Sequence, residues 1–122
     1  MTILLDSVIL IDHFNGIVEA TAYLGQIRDE AAISVITRAE VLTGFESSDR
    51  QPAIALLDRF PLFDITKPIA DLAADLRREQ GWKLPDAFQA ALAQYHHLRL
   101  ATRNTKDFPP EHHAFVIVPY ER

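Results

Sequence analysis

The chain of 122 residues contains no cysteine. That excludes a disulfide framework, a thiolate nucleophile and a sulfur-ligated metal centre. Glycine is scarce, with four residues scattered through the chain, so no glycine-rich phosphate loop can be assembled. No apolar run approaches the ~20 residues of a membrane span. The opening "MTILLDSVILIDHF" is apolar but carries Asp6 and Asp12 and lacks the basic leader of a signal peptide. A cytoplasmic protein with no membrane contact is therefore expected. Basic residues are also in deficit: 12 against 17 acidic, for a formal charge of −5. That argues against broad attraction to nucleic acid or an anionic membrane. It leaves room for a nucleic-acid enzyme whose excess carboxylates hold cations. The five histidines supply no helical i, i+4 metal pair. His96–His97 and His112–His113 are adjacent, and neighbours on a helix or strand diverge by about 100° or 180°.

What is present is an ordinary globular balance, 48% apolar and 24% charged, at a length that suits a single domain over 1–122. No repeat, linker or low-complexity tract interrupts it. Short buried strands are expected at "TILL" (2–5), "AAISV" (31–35), "LFDI" (62–65), "LRLAT" (98–102) and "AFVIV" (114–118). Helical spacing joins them. "VILIDHF" reads as a short helix, and Ile17, Ala20, Leu24 and Ile27 mark another. Thr37 opens a helix through about Phe45. Ala53, Leu56, Leu57 and Phe60 mark a fourth. Ile69, Leu72, Ala73 and Leu76 form an amphipathic stripe with Gly81 as its stop. Pro85 opens the last helix, buried through Phe88, Ala91, Leu92 and Tyr95. Strands alternating with helices imply an α/β fold with a mainly parallel sheet. In such sheets the ligand site lies beyond the carboxyl ends of the strands.

The residues at those ends are acidic. Asp6 follows the first strand; Asn104 and Asp107 follow the fourth. Glu40 lies early in the helix after the second strand, and Asp86 early in the helix before the fourth. Carboxylates gathered at one edge repel one another, and a hard divalent cation, Mg²⁺ or Mn²⁺, relieves that. Phosphoryl transfer uses such a cluster: one metal acidifies a water, and a second, roughly 4 Å away, stabilises the leaving oxygen. Each residue also has a plain structural reading. Asp6 could cap the next helix. In "TRAE" (37–40), Glu40 could complete a capping box on the Thr37 amide. Asp86 suits the positive end of a helix dipole, and Asn104 and Asp107 suit a turn. Asp12 reads as a solvated side chain, Asp58, Asp64, Asp71 and Asp75 as surface, and Trp82 as packing.

Four blocks in order, "LLDSVILIDHF", "ISVITRAEVLTG", "LPDAFQAALA" and "ATRNTKDF", resemble the PIN domains, specifically the VapC toxins of VapBC toxin–antitoxin pairs. The resemblance spans nearly the whole chain. It implies an α/β/α sandwich around a parallel sheet of about five strands. It also implies a Mg²⁺- or Mn²⁺-dependent endoribonuclease, commonly dimeric, held inactive by a VapB-like antitoxin. By position, Asp6, Glu40 and Asp86 match the three family acids, which moves Glu40 from cap to metal site. Asn104 and Asp107 supply the fourth corner, either of them the one that meets metal. Two positions after the first acid the family usually has a small or polar residue; here it is Val8. Arg103 and Lys106 would stand at the rim to hold RNA phosphate, with Arg38 or Lys83 as the fallback. The leading reading is thus a toxin that hydrolyses RNA with a metal-activated water. Two other classes stand beside it. One is an inactive PIN fold kept as an interaction module. The other is a receiver-like phosphoacceptor, against which Asp6 lacks an adjacent acid and "VIVPYER" lacks a lysine.

Overall fold

Each predicted strand forms, and each is shorter than its apolar run. The computed structural model describes all 122 residues. The strands are β1 (Ile3–Leu5), β2 (Ala31–Ser34), β3 (Leu62–Phe63), β4 (Arg99–Ala101) and β5 (Val116–Ile117). The helices are α1 (Ser7–Phe14), α2 (Val18–Ile27), α3 (Val35–Thr43), α4 (Gln51–Leu57), α5 (Lys67–Gln80) and α6 (Leu84–Tyr95). The sheet runs β3-β2-β1-β4-β5 with every neighbouring pair parallel. Parallel neighbours cannot be joined by tight turns, so helices serve as the crossovers.

Side chains alternate across β1 and separate two cores. Leu4 faces α5 and α6, packing with Ile69, Ala73, Ala90, Leu92 and Leu100. Ile3 and Leu5 face the other way, with Ile9, Leu10, Leu24, Val41 and Leu57. A one-residue slip of β1 would exchange the two faces, so the register Leu4↔Leu100 and Leu5↔Ala101 is strongly specified. Helices therefore cover both faces of the sheet, the expected sandwich.

Two helix stops set up the site. Gly81 ends α5 at φ 73° and accepts the left-handed turn without a Cβ penalty. The chain then turns at buried Trp82, and α6 starts with Asp86 in its first turn. At the other end of α6, His97 takes the left-handed position at φ 56°. Leu98 N–H donates to Ala93 and His97 N–H to Gln94, at 2.8 and 3.3 Å, the bonds of a Schellman stop. That delivers the chain into β4.

One expected face needs correction. Tyr95 is 50% exposed, and α6 instead buries Ala87, Gln89, Ala90, Ala91, Leu92 and Ala93. Alanines let the helix sit close to both α5 and the sheet, so the buried arc is wide and excludes the bulkier Tyr95. The strand order reverses at β1, with β2 and β3 on one side and β4 and β5 on the other. The crevice between the carboxyl ends of β1 and β4 is thus the switch point of the sheet, where such folds place their ligands.

Candidate active site

Asp6 leaves the end of β1, its N–H bonded to the Ala101 carbonyl of β4 at 2.9 Å. It is the N-cap of α1 and accepts from Ser7 N–H at 2.9 Å, so the capping role is real. Three further facts exceed a cap. The side chain is only 6% exposed. The Thr102 hydroxyl donates to its Oδ2 at 2.7 Å, and Gln89 Nε2 donates to its Oδ1 at 3.4 Å. Burial pushes its carboxyl above the ordinary range, while the Thr102, Ser7 and Gln89 hydrogen bonds pull it back.

Asp6, Glu40 and Asp86 line one open cleft of about 480 Å³, with Asn104, Arg103 and Lys106 opposite. Val8 is its single hydrophobic lining residue. Loss of water raises the Asp86 carboxyl to about 6, reinforced by the charges of Asp6, Asp107 and Glu40 and opposed by Lys83. The charges of Asp6, Asp107 and Glu40 all reach Asp86, although no three of these acids close into a finished metal cage. Such openness suits Mg²⁺, which keeps several waters and takes one or two carboxylates plus substrate phosphate.

This arrangement has a pH signature. The folded Asp86 binds its proton more tightly than the ordinary 3.8, at about 6. Its contribution to stability is therefore full below 3.8 and is lost as pH rises through about 6. Asp86→Asn is expected to stabilise the metal-free protein at pH 7 by about 1–2 kcal/mol, discounted for partial solvation. The gap should shrink as pH falls toward 4. Urea unfolding across pH checks it, and a gap independent of pH would contradict it.

The capping box expected at Thr37 is displaced. Helix α3 begins at Val35, and Ser34 is its N-cap, accepting the Thr37 N–H at 3.0 Å. With the Thr37 amide already taken, Glu40 has no capping partner. It sits in the second turn of α3, exposed to solvent at the cleft mouth. Its carboxyl is raised by lost water on the cleft side and by Asp6, and lowered by the Ser7 hydroxyl.

The loop after β4 forms both a turn and a wall. Asn104 Nδ2 donates to Asp107 Oδ2 at 3.0 Å, and Asp107 N–H donates to Asn104 Oδ1 at 3.3 Å. Asn104 reaches the cleft; Asp107 stands behind it, close enough to raise Asp86. Trp82 Nε1 donates to the Asp107 carbonyl at 2.7 Å and fixes the loop to the start of α6. Lys106 is exposed at the rim.

One expectation about charge is corrected, and Arg103 at the cleft proves to be paired. Asp12 is not solvated but 4% exposed. Arg103 does not stand free: its Nε and Nη2 grip both Asp12 oxygens at 2.6 and 2.8 Å, and Tyr120 donates to the same carboxylate at 2.8 Å. The Arg103 hydrogen bonds hold the Asp12 carboxyl below its ordinary range despite its burial. Arg38 pairs with exposed Asp58 at 2.8 Å.

Sequence reasoning missed the neutral polar residues behind Asp6: Ser34, Thr37, Gln89 and Thr102, all buried. One signal was available. Gln89 is the sole polar residue in the buried stretch "AFQAALA" (87–93), and a lone buried amide requires partners.

Comparison with known proteins agrees with this fold. The family model described as PIN domain matches residues 3–109. Ribonuclease VapC10 of Mycobacterium tuberculosis is 36% identical over 114 residues, covering 88% of this chain and 86% of that protein. A toxin–antitoxin complex from Klebsiella pneumoniae contains a chain with 41% identity and a TM-score of 0.91, covering 99% of this chain and 100% of that one. FitAcB from Neisseria gonorrhoeae shares the fold, with a TM-score of 0.77 at 24% identity, over 97% of this chain and 98% of its own. The chain belongs to the PIN-domain family and, within it, to the VapC toxins.

Proposed function

We propose that this protein is a Mg²⁺- or Mn²⁺-dependent endoribonuclease, the toxin of a VapBC-like pair. The observation that carries the reading is the convergence of Asp6, Glu40 and Asp86 on one cleft at the sheet's switch point. The donor set is all oxygen, which suits a hard divalent cation. Such an ion would acidify water and neutralise charge developing on the phosphodiester. Asp6 and Asp86 are assigned as its holders. Asn104 offers a neutral oxygen there, and Asp107 orients Asn104 from behind and adds negative charge. Glu40, with its raised and solvent-facing carboxyl, is placed to accept a proton from the attacking water. No histidine or cysteine lines the cleft, and water is assigned as the attacking group.

Lys106 is the rim cation without a carboxylate partner, so it is assigned to RNA phosphate. Lys106→Ala should make the slope of log affinity against log salt shallower by ~0.7 for single-stranded RNA. RNA binding at several salt concentrations, with Ca²⁺ replacing Mg²⁺, checks this. An unchanged slope would remove Lys106 from the RNA path.

A VapB-like antitoxin is proposed as partner because similar chains occur in toxin–antitoxin complexes. A homodimer is proposed on the family resemblance. No helix is long and apolar enough to cross a membrane; a cytoplasmic location is proposed on the family resemblance. The test is cleavage of RNA by antitoxin-free protein, expected with Mg²⁺ or Mn²⁺ and abolished by EDTA. Equal cleavage in EDTA, or none under any divalent cation, would reject the reading.

A further inference from the structure

Gln89 is 1% exposed in the middle of α6, with every polar atom of its amide engaged. Its Oε1 accepts from the Ser34 hydroxyl at 2.7 Å. Its Nε2 donates to Thr37 Oγ1 at 2.7 Å and to Asp6 Oδ1 at 3.4 Å. Backbone groups fix the direction of this chain. Ser34 Oγ accepts the Thr37 N–H, so its own proton is free for Gln89. The Thr37 hydroxyl donates to the Leu5 carbonyl at 3.1 Å, which can only accept. Its oxygen must therefore receive a proton from Gln89. A flipped amide would lose the Thr37 bond and set Oε1 against the Asp6 carboxylate. The NH₂ end is thus compelled to face Asp6.

The consequence reaches the cleft. Ser7 N–H and Gln89 hold Asp6 Oδ1, and Thr102 holds Oδ2, its oxygen in turn accepting Asn104 N–H at 3.0 Å. Three donors occupy three of the roughly four lone-pair positions of a carboxylate, leaving one for a cation. The same amide bridges α6, α3 with its cap, and Asp6, the elements that carry all three cleft acids. Gln89 and Asp86 are also spaced i, i+3 on α6, so they share one side of the helix. We infer that Gln89 is a positioning residue, which orients the Asp6 carboxylate toward the cation and holds the three acid-bearing elements in register. This rests on the metal-site reading above.

A merely structural role for Gln89 predicts a different pattern, and two variants separate the possibilities. Gln89→Met keeps length and removes the donor to Asp6. Thr37→Val keeps shape, removes two hydrogen bonds of the same network, and leaves Gln89 fixed by Ser34. Both are expected to lower the unfolding midpoint. Mn²⁺ affinity, read from the paramagnetic resonance signal of free Mn²⁺ without RNA, should weaken tenfold or more in Gln89→Met. In Thr37→Val it should stay within about threefold of wild type. If Gln89→Met does not fold, Gln89→Leu takes its place: it removes the N–H without placing a second carboxyl beside Asp6, and the same loss is expected. Near-wild-type Mn²⁺ affinity in the Gln89 variant, or an equal loss in Thr37→Val, would overturn the inference and leave the metal-site reading standing. A wild-type chain that binds no Mn²⁺ would instead overturn both.

Discussion

Asp6→Asn and Asp86→Asn are each expected to lower RNA cleavage by about 10³-fold at saturating Mg²⁺, with the fold retained. Each change removes a charge from the cleft while conserving shape. At position 6 the Asn oxygen can still accept from Ser7 and Gln89, and its NH₂ can meet the Thr102 hydroxyl oxygen, so that only the Thr102 O–H loses its acceptor. Ala is a poorer probe there. It deletes the α1 cap, worth ~1 kcal/mol, and leaves the buried Thr102 and Gln89 donors unmet, at about 1–3 kcal/mol. Asp86 makes no side-chain bond that would be lost. Glu40→Gln should also lose activity, with melting near normal, because the Thr37 amide that a capping role would need is held by Ser34. Single-turnover cleavage beside thermal melts checks all three. Wild-type rates in Asp6→Asn or Asp86→Asn would remove that residue from the chemistry; full activity in Glu40→Gln would remove Glu40.

The second large effect is on stability. Arg103→Ala should destabilise the protein by about 1–2 kcal/mol, because it leaves the Asp12 carboxylate with only Tyr120 as donor, a loss moderated by solvent around an arginine side chain that is 31% exposed. A surface cation of the kind expected from sequence would cost a few tenths. Asp12→Asn should recover much of the loss in the Arg103→Ala background, since a neutral amide needs no counter-charge. Urea unfolding of the two single variants and the double variant measures the coupling. Additive effects, or a loss in Arg103→Ala below about 0.5 kcal/mol, would contradict the buried pair. It follows that a joint Arg103 and Lys106 substitution cannot read RNA contacts cleanly; Lys106 alone can.

The fold was legible because each strand was a short apolar run and each helix kept its stripe. Residues 3–5 and 31–34 could hardly be anything but interior strands, and Gly81 and Pro85 punctuated the chain where α5 stops and α6 starts. Asp6 stood out for a related reason: it directly follows an apolar strand, where a charge needs a cause. What was hidden depends on contacts across long sequence separations. Asp12 and Arg103 are 91 residues apart, and Asp12 and Tyr120 108 apart. No local spacing reveals that the three meet. Serine caps look alike from sequence, and the choice between Ser34 and Thr37 turned on which hydroxyl lies at the end of β2. Gln89 was the opposite case, visible as an anomaly among alanines yet without meaning until its partners were placed.

Crystals of the protein soaked in Mn²⁺ and measured at the manganese absorption edge would show directly whether the acid cleft holds a cation. An anomalous peak is expected within coordination distance of the Asp6 or Asp86 carboxylate, lost in crystals of Asp6→Asn. A cleft without a peak at saturating Mn²⁺, in protein that cleaves RNA in the same buffer, would contradict a metal-dependent site built on Asp6, Glu40 and Asp86.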